Sequence, residues 1–428
     1  MIDFELTDEQ KEIKALIKEF CEREVDLKEM QRLVDANSKA KTVQELRDNQ
    51  PKELLKKLND VGLRQFCVPT EYGGGGFGYC GSVTRAIAAE ELGYYMGMGA
   101  RELTLTWMDC CERSSDIVPR EQKDWFFSQI MKNPTMTTAV TGSEPSGITD
   151  TMLPYEEPER GYPILVLAHR DGDEWVINGD KAFSSGGGTA ELLRAMTRTS
   201  KTGTLDQALD TFWVPKDTPG MSYAVNRMLA GDIAGNVQVS YDNVRVPESH
   251  RIEPRGWRTL EHFLAAKVMT NIDQLGYACR VYEQVLNYAK ERVAGGVPII
   301  QHSAIAAGLG EVLLHLHAWR AFAYRICWEN DQREKAGKPL IGSFECGVDY
   351  WGKKTGLLLC KVGLGVYGGM AGSVDLMLEG FVRMHYTFPH GSEPMSMVKY
   401  SMANNDHILS CMAPRRTEGE KVVSAVGK

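Results

Sequence analysis

The sequence predicts an α+β protein in which a helical region is followed by a β region and then by a second helical region. Apolar residues recur with a helical period at both ends of the chain, while the middle holds short β-branched and aromatic runs bounded by Gly, Asp and Pro. The composition is globular, since 43% of the 428 residues are hydrophobic and 25% are charged. We therefore expect three domains, over residues 1–137, 138–252 and 253–428, the last ending in a polar tail.

The first helical region is predicted from apolar residues that share one face. In residues 9–20, Ile13, Leu16 and Ile17 lie on the same side of a helix. A charged insert, roughly Lys28 to Gln50, is expected to interrupt this helical pattern. Further helices are expected over residues 51–61, 82–95 and 120–132.

The middle of the chain predicts a compact β barrel or sandwich. A hairpin turn is expected at Asn178-Gly179, because this dipeptide favours tight turns. Strands are expected over residues 164–168, 174–179, 211–214 and 237–241. After them, helical spacing returns over residues 268–292 and 303–334, and a further helical pair is expected beyond the Gly/Pro-rich residues 335–342.

Charge and composition exclude several classes of protein. The 57 acidic residues exceed the 49 basic ones, for a formal charge of -8, so a nucleic-acid surface is not expected. The N-terminus is acidic and amphipathic, unlike a secretion signal, and no apolar run is long enough to span a membrane. The ten cysteines have no metal or redox spacing. We expect reduced thiols, no metal and a cytoplasmic location.

Three segments have compositions that suit a nucleotide cofactor. The small and hydroxyl residues of 141–150 offer backbone N–H groups to a pyrophosphate or a flavin edge, although a plain loop has the same composition. In residues 178–187, Phe183 beside two serines could stack on a ring system or belong to the core. The glycines of 363–372 permit close approach to a nucleotide or tight helix packing.

These segments, in this order within a helix–strand–helix chain, resemble the acyl-CoA dehydrogenase family over nearly the whole length. Pro69–Gly74, with Gly62-Leu63 before it, is similar to the family's N-terminal signature, and Glu90-Glu91-Leu92 to the helix that follows it. The resemblance implies a central β domain between an N-terminal helical domain and a C-terminal four-helix bundle. It also implies FAD, a CoA thioester, an electron-transferring flavoprotein, and a homotetramer or dimer that shares FAD across subunits.

The resemblance carries cofactor roles to individual positions of this chain. Ser143, Phe183 and Ser185 would lie beside the flavin ring, and Thr149 near the flavin phosphates or the thioester. Ser303 and Gly365 stand where the family has glutamines, so FAD contacts there are altered. The remaining positions that the resemblance places at FAD are Arg292, Gly368, Gly369 and Ser392.

Substrate contacts follow from the same resemblance. Phe263 and Lys267 would line the CoA path, with Lys267 in place of the usual Arg. Gly391 and Thr149 would lie near the thioester. Arg101 could hold a distal carboxylate of the acyl group or pair with its neighbour Glu102.

The usual catalytic glutamate of the family is missing from this chain. Its slot falls on Pro389 or His390, and a second slot used by some members falls on Ala266. His390 could serve as acid or base, because imidazole titrates near neutrality, or form a polar wall. Glu102 could take a proton from a remote ring carbon, or Arg101 and Glu102 could be two charges on a solvated helix face.

The sequence thus predicts an FAD-dependent oxidoreductase that acts on the CH–CH group of a CoA thioester, as a dehydrogenase or an enoyl-CoA reductase. The missing glutamate favours a cyclic, aryl or dicarboxylic acyl group. One alternative is a non-catalytic partner subunit of a mixed oligomer, and another is a flavin oxidase or hydroxylase of the same fold.

Overall fold

A computed structural model describes residues 5–78, 82–145, 164–200, 205–230, 233–256, 265–338, 340 and 345–387. Seven α-helices precede the β region in these ranges. The first begins with a capping box, in which the Thr7 side chain accepts from the Gln10 N–H and the Gln10 side chain accepts from the Thr7 N–H. The helices are α1 (Asp8–Glu24), α2 (Leu27–Lys39), α3 (Val43–Asp48), α4 (Lys52–Asp60), α5 (Ser82–Met96), α6 (Arg101–Ser114) and α7 (Arg120–Lys132).

The expectation that residues 28–50 interrupt the helical pattern is wrong, because α2 and α3 occupy them. Met30, Leu33, Val34 and Asn37 are the buried residues of α2, and they follow the spacing of one helical face. The Asp26 side chain caps this helix. The charged residues that suggested an interruption lie on the opposite, solvated face.

Helix α5 crosses a long C-terminal helix, α9 (Met269–Glu291), at two glycines. A Cβ on Gly93 would lie 1.8 Å from the Asp273 carbonyl oxygen, and one on Gly276 would lie 1.9 Å from the Glu90 carbonyl oxygen. Real Cβ atoms do not come so close to backbone. The crossing therefore needs both glycines, and it fixes the start of α9 against the N-terminal helices.

The β region forms one seven-stranded mixed sheet in the described part of the chain. The strands are β1 (Thr138–Thr141), β2 (Leu167–Asp171), β3 (Glu174–Ser185), β4 (Leu192–Arg198), β5 (Leu209–Pro215), β6 (Met221–Val225) and β7 (Asn236–Pro247), and the four-residue helix α8 (Leu205–Ala208) precedes β5. Their order in the sheet is β1-β4-β2-β3-β7-β6, with β5 paired to β4. β1 runs parallel to β4, whereas β3 and β7 pair antiparallel over a long register.

Two details of the predicted strands need correction. Asn178-Gly179 is not a hairpin turn but an irregularity inside β3, whose pairing with β7 shifts between Ile177 and Gly179. The β2–β3 hairpin instead turns after Asp171, which pairs with Glu174. The predicted strand at 164–168 begins only at residue 167, because the N–H groups just before it donate to the Glu144 carboxylate.

Helices resume after the sheet. The helix predicted over 268–292 is α9, followed by a short β8–β9 hairpin (Val293–Ala294 and Val297–Pro298) and three more helices in the described ranges: α10 (Ser303–Lys335), α11 (Glu345–Tyr367) and α12 (Met377–Thr387). The N-terminal helices, the sheet and the C-terminal helices each enclose a hydrophobic core. None of the helices in these ranges is both long and apolar enough to cross a membrane. Seven described cysteines are free thiols, six of them buried.

Candidate functional site

The loop after β1 is fixed by a buried carboxylate. Glu144 accepts hydrogen bonds from the Leu165 N–H at 2.6 Å and from the Val166 N–H at 3.1 Å. Its carboxylate also lies 2.7 Å from the Lys181 ammonium, which donates to the Gly142 carbonyl at 3.0 Å. Both side chains are almost completely buried. Burial lowers the pKa of Lys181 to about 8, although the neighbouring Glu144 opposes that change.

The end of β3 presents an aromatic ring to the outside of the sheet. Phe183 has a φ of 57° and remains 60% exposed, so the interpretation of this residue as part of the core is wrong. A positive φ is uncommon for a bulky residue and marks a conformation held by its surroundings. Ser185, two residues on, accepts from the Asn236 side-chain amide at 3.4 Å. The exposed Phe183 ring is available to stack on a planar group.

A second polar region lies where α6 meets the start of α9. The Arg101 guanidinium donates to the Thr270 carbonyl at 2.9 Å, and the Thr104 hydroxyl donates to the Asp273 carboxylate at 2.6 Å. Glu102 is only 5% exposed, so the interpretation of Arg101 and Glu102 as charges on a solvated face is wrong for Glu102. We call this region the α6–α9 seam, defined by Arg101, Glu102, Thr104, Thr270, Asp273 and Gln274.

A small cavity of about 10 Å³ borders the seam, with room for roughly one water molecule. Met384 of α12 contributes to its wall, and the next residue, His385, is buried and stacks on Phe381 with ring centroids 3.8 Å apart. Burial, with a smaller contribution from the nearby Arg101 charge, lowers the pKa of His385 to about 3, although the hydrogen bond to the Phe381 carbonyl opposes that change. The cavity is lined by Gly97, Met98, Arg101, Asp273, Gln274, Tyr277 and Met384.

The other predicted positions around α9 are placed as follows. Lys267 is half-buried just before α9, and Ala266 beside it is buried, with no carboxylate in that slot. Arg292 ends α9 and is exposed, as is Ser303 at the start of α10. Thr149, Phe263, His390, Gly391 and Ser392 lie outside the described residues.

The glycines at the end of α11 separate into two kinds. A Cβ on Gly363 would meet Leu378 at 3.1 Å, so helix packing explains this glycine. A Cβ on Gly365, Gly368 or Gly369 would have no atom within 4 Å. Tight packing within the chain is therefore not the reason for these three glycines. Gly368 has a φ of 59°, which favours glycine whatever the space, and the open backbone around the three leaves room for a ligand or a second chain.

Several residues of the site were not singled out from the sequence. The missed residues include Thr104, Asp273 and Gln274, which are polar and buried. Helical periodicity identifies the apolar positions of their helices and does not single out buried polar ones. A signal was present, because residues 270, 271, 273 and 274 are all polar at the start of a helix that is otherwise rich in apolar residues. The partnership of Glu144 with Lys181 has no such signal, since 37 residues separate them. No group of metal-ligating side chains occurs among the described residues.

Comparison with known protein families agrees with this architecture. Models of the N-terminal, middle and C-terminal domains of acyl-CoA dehydrogenase match residues 7–124, 139–244 and 254–347. The chain belongs to the acyl-CoA dehydrogenase family. Members of this family are FAD-dependent oxidoreductases that act on the CH–CH group of CoA thioesters, and the predicted fold class is confirmed.

Individual relatives of this acyl-CoA dehydrogenase family member are distant. The cyclohex-1-ene-1-carbonyl-CoA dehydrogenase of Syntrophus aciditrophicus is 25% identical over 386 residues, 89% of this chain and 85% of the relative. The acryloyl-CoA reductase (NADH) of Anaerotignum propionicum is 24% identical over 388 residues, 89% of this chain and 90% of the relative. The FAD complex of PigA superposes with a TM-score of 0.79 at 18% identity, covering 96% of this chain and all of that one, which shows the shared fold.

Proposed function

We propose that this chain binds FAD and exchanges a hydride with a CoA thioester whose acyl group is cyclic or carries a polar group. The α6–α9 seam carries this proposal. An alkyl chain beside the seam would place hydrocarbon against the polar side chains of Arg101, Asp273 and Gln274, which line the cavity, at a cost in desolvation. A carboxylate, a hydroxyl or an acidic ring C–H would engage the same groups. FAD, when bound, supplies the hydride acceptor or donor.

Glu102 is the residue that we propose as the base for proton removal. It is buried on α6, next to Arg101, whose guanidinium is positioned by the Thr270 carbonyl. A base at this position would act on an atom remote from the thioester, which suits a ring or a dicarboxylic acyl group better than a short alkyl one. His390 stays the second candidate for the same role.

The cofactor contacts follow from the surfaces that the chain leaves open. Phe183 and Ser143 would flank the flavin ring, and Ser185 lies on the same strand end. The exposed Arg292 and the open backbone of Gly368-Gly369 would receive the remote half of FAD from a second copy. Helix α10 supports a homo-oligomer, because Leu314 and Trp328 on it are 72% and 45% exposed.

The proposal also includes an electron-transfer partner, which rests on the family, and a cellular location, which rests on the free thiols. Electrons would be exchanged with an electron-transferring flavoprotein, as the family resemblance implies. The seven free cysteines in the described ranges favour a reducing compartment, and we place the protein in the cytoplasm.

The test is the visible absorption spectrum of the purified protein, recorded before and after anaerobic addition of thioesters. We expect a flavin spectrum that bleaches with an alicyclic or dicarboxylic acyl-CoA and not with butyryl-CoA. If only the pre-reduced protein responds, and to an enoyl-CoA, the reaction runs as a reduction. Bleaching by butyryl-CoA alone would contradict the substrate class. A colourless protein that FAD cannot reconstitute would contradict the enzyme and favour a partner subunit.

A further inference from the structure

Residues Gly142 to Glu144 follow the end of a strand, so contacts with β3 hold them in place of regular strand pairing. β1 stops at Thr141. Beyond it, the Lys181 ammonium donates to the Gly142 carbonyl at 3.0 Å and to the Glu144 carboxylate at 2.7 Å. Between these two contacts, the Ala182 N–H donates to the Ser143 carbonyl at 3.0 Å. Three consecutive loop residues are thereby tied to two consecutive residues of β3.

The same carboxylate also holds the chain that leads into β2. Glu144 accepts from the N–H groups of Leu165 and Val166. One side chain therefore joins residues on both sides of the segment 146–163. Carboxylates that accept several N–H donors make strong, directional contacts, so Glu144 fixes the positions of both chain segments.

The contacts of Lys181 also determine where β3 places Phe183. The pairing of β3 with β7 shifts between Lys181 and Ser184, so the sheet ladder does not hold Ala182 and Phe183. Their position depends on the bond from Ala182 to Ser143 and on the ammonium of Lys181. Phe183 takes its positive φ and its exposed orientation at this irregularity.

The pair holds this geometry as a unit because both charges are out of water. The Lys181 side chain is completely buried, and only 2% of the Glu144 side chain is exposed. Removal of one partner leaves the other charge buried and uncompensated, which forces the loop or the strand to move. Glu144→Gln also removes a charge, but it keeps the shape of the side chain and one oxygen that can accept from the same donors.

We propose that Glu144 and Lys181 are positioning residues that set Ser143 against Phe183 and so define the pocket for the flavin ring. This inference rests on the proposed FAD site. Neither residue is assigned a proton-transfer role. Their effect is on how tightly FAD binds and on the environment of its ring.

The experiment compares the full-length protein with its Lys181→Met and Glu144→Gln variants. FAD dissociation constants are measured by fluorescence quenching, and the visible bands of the bound flavin are recorded. We expect at least tenfold weaker FAD binding for Lys181→Met, a smaller loss in the same direction for Glu144→Gln, and displaced visible bands in both. Glu144→Gln keeps the test decisive should Lys181→Met fail to fold.

The matched control is Lys353→Met on α11. Lys353 lies 2.6 Å from Asp349, and this lysine–carboxylate pair is also buried, with 3% and 4% of the side chains exposed. We expect a lower melting temperature with unchanged FAD affinity and bands. Native FAD affinity and bands in both loop variants would overturn the inference while the proposed function stands. Equal losses in Lys353→Met would overturn it too. A native protein that binds no FAD would overturn both proposals.

Discussion

Helix α6 buries charged side chains at both of its ends, and the two ends are built differently. At the C-terminal end, the Arg194 guanidinium of β4 lies 2.8 Å from Glu112 and 3.3 Å from Asp109, and Arg113 donates to Glu112 at 2.7 Å. At the N-terminal end, Arg101 donates to the Thr270 carbonyl and lines a small cavity together with Asp273 and Gln274. The first end links opposite charges across two domains, whereas the second borders a cavity.

The pKa values at the C-terminal end show how its buried charges act on one another. Burial alone would raise the pKa of Glu112, but Arg194 and Arg113 outweigh it and hold that pKa below its ordinary value. Burial raises the pKa of Asp109 even though Arg194 lies nearby. The C-terminal end is therefore a structural joint whose charges are bound by one another. The N-terminal end instead places the polar side chains of Arg101, Asp273 and Gln274 along a small cavity.

The largest expected effect is at the structural joint. Arg194→Met would leave two buried carboxylates with Arg113 as their remaining described cation, and we expect a loss of about 3 to 5 kcal/mol in the free energy of unfolding. Urea denaturation followed by circular dichroism measures this loss. The control is Arg245→Met, which removes exposed ion pairs to Asp171 and Glu174 in the same sheet and should cost less than about 1 kcal/mol. Equal losses of unfolding free energy in the two variants would contradict the inference that the buried Arg194 cluster is more important for stability than the exposed ion pairs of Arg245.

An intermediate, pH-dependent effect is expected beside the seam, at His385. Its pKa in the folded chain, about 3, lies below the ordinary 6.5, so the unfolded chain takes up the proton first as the pH falls. The free energy of unfolding therefore falls as the pH drops below 6.5, and the contribution of His385 to this loss is about 2 kcal/mol at pH 5. His385→Phe should abolish that part of the pH dependence. Unfolding curves at pH 7 and pH 5 test this, and an unchanged difference between the two pH values would contradict it.

The smallest effect on stability is expected at Glu102, together with a large effect on turnover. Glu102→Gln keeps the shape of the side chain, and we expect a change within about 1 kcal/mol in unfolding free energy. Loss of a catalytic base lowers turnover about 100-fold or more. Glu91→Gln on α5, which removes a pair with Lys14, is the control and should keep turnover. Full activity of Glu102→Gln would show that Glu102 is not the catalytic base and would leave His390 or another residue for that role.

The sequence was sufficient for the order of domains and for most helices. Periodicity identified α1, α4, α5, α7 and α9 to within a few residues, because one apolar face recurs in each. It failed for α2, whose buried Met30, Leu33 and Val34 are outnumbered by charges on the solvated face. It also misplaced the hairpin, since Asn178-Gly179 suits both a turn and an irregular strand.

The structure places some of the predicted site residues beside polar residues that the sequence did not single out, because sequence patterns report only local spacing. Arg101 and Glu102 were identified as neighbours, yet the Arg101 contact with the Thr270 carbonyl depends on α9, which lies about 170 residues away in the sequence. The FAD-binding and catalytic roles of the named residues remain predictions.

By itself, the sequence determined the fold class and the family, since these depend on residue types and their spacing, whereas the missing catalytic glutamate stays a prediction. Only the tertiary structure decided which charges are buried and what they contact. Glu144 and Lys181, like Thr104 and Asp273, become partners because strands and helices distant in the chain pack together. Burial removes the water that would otherwise screen each charge, so the meaning of a charged residue depends on packing that no local pattern records.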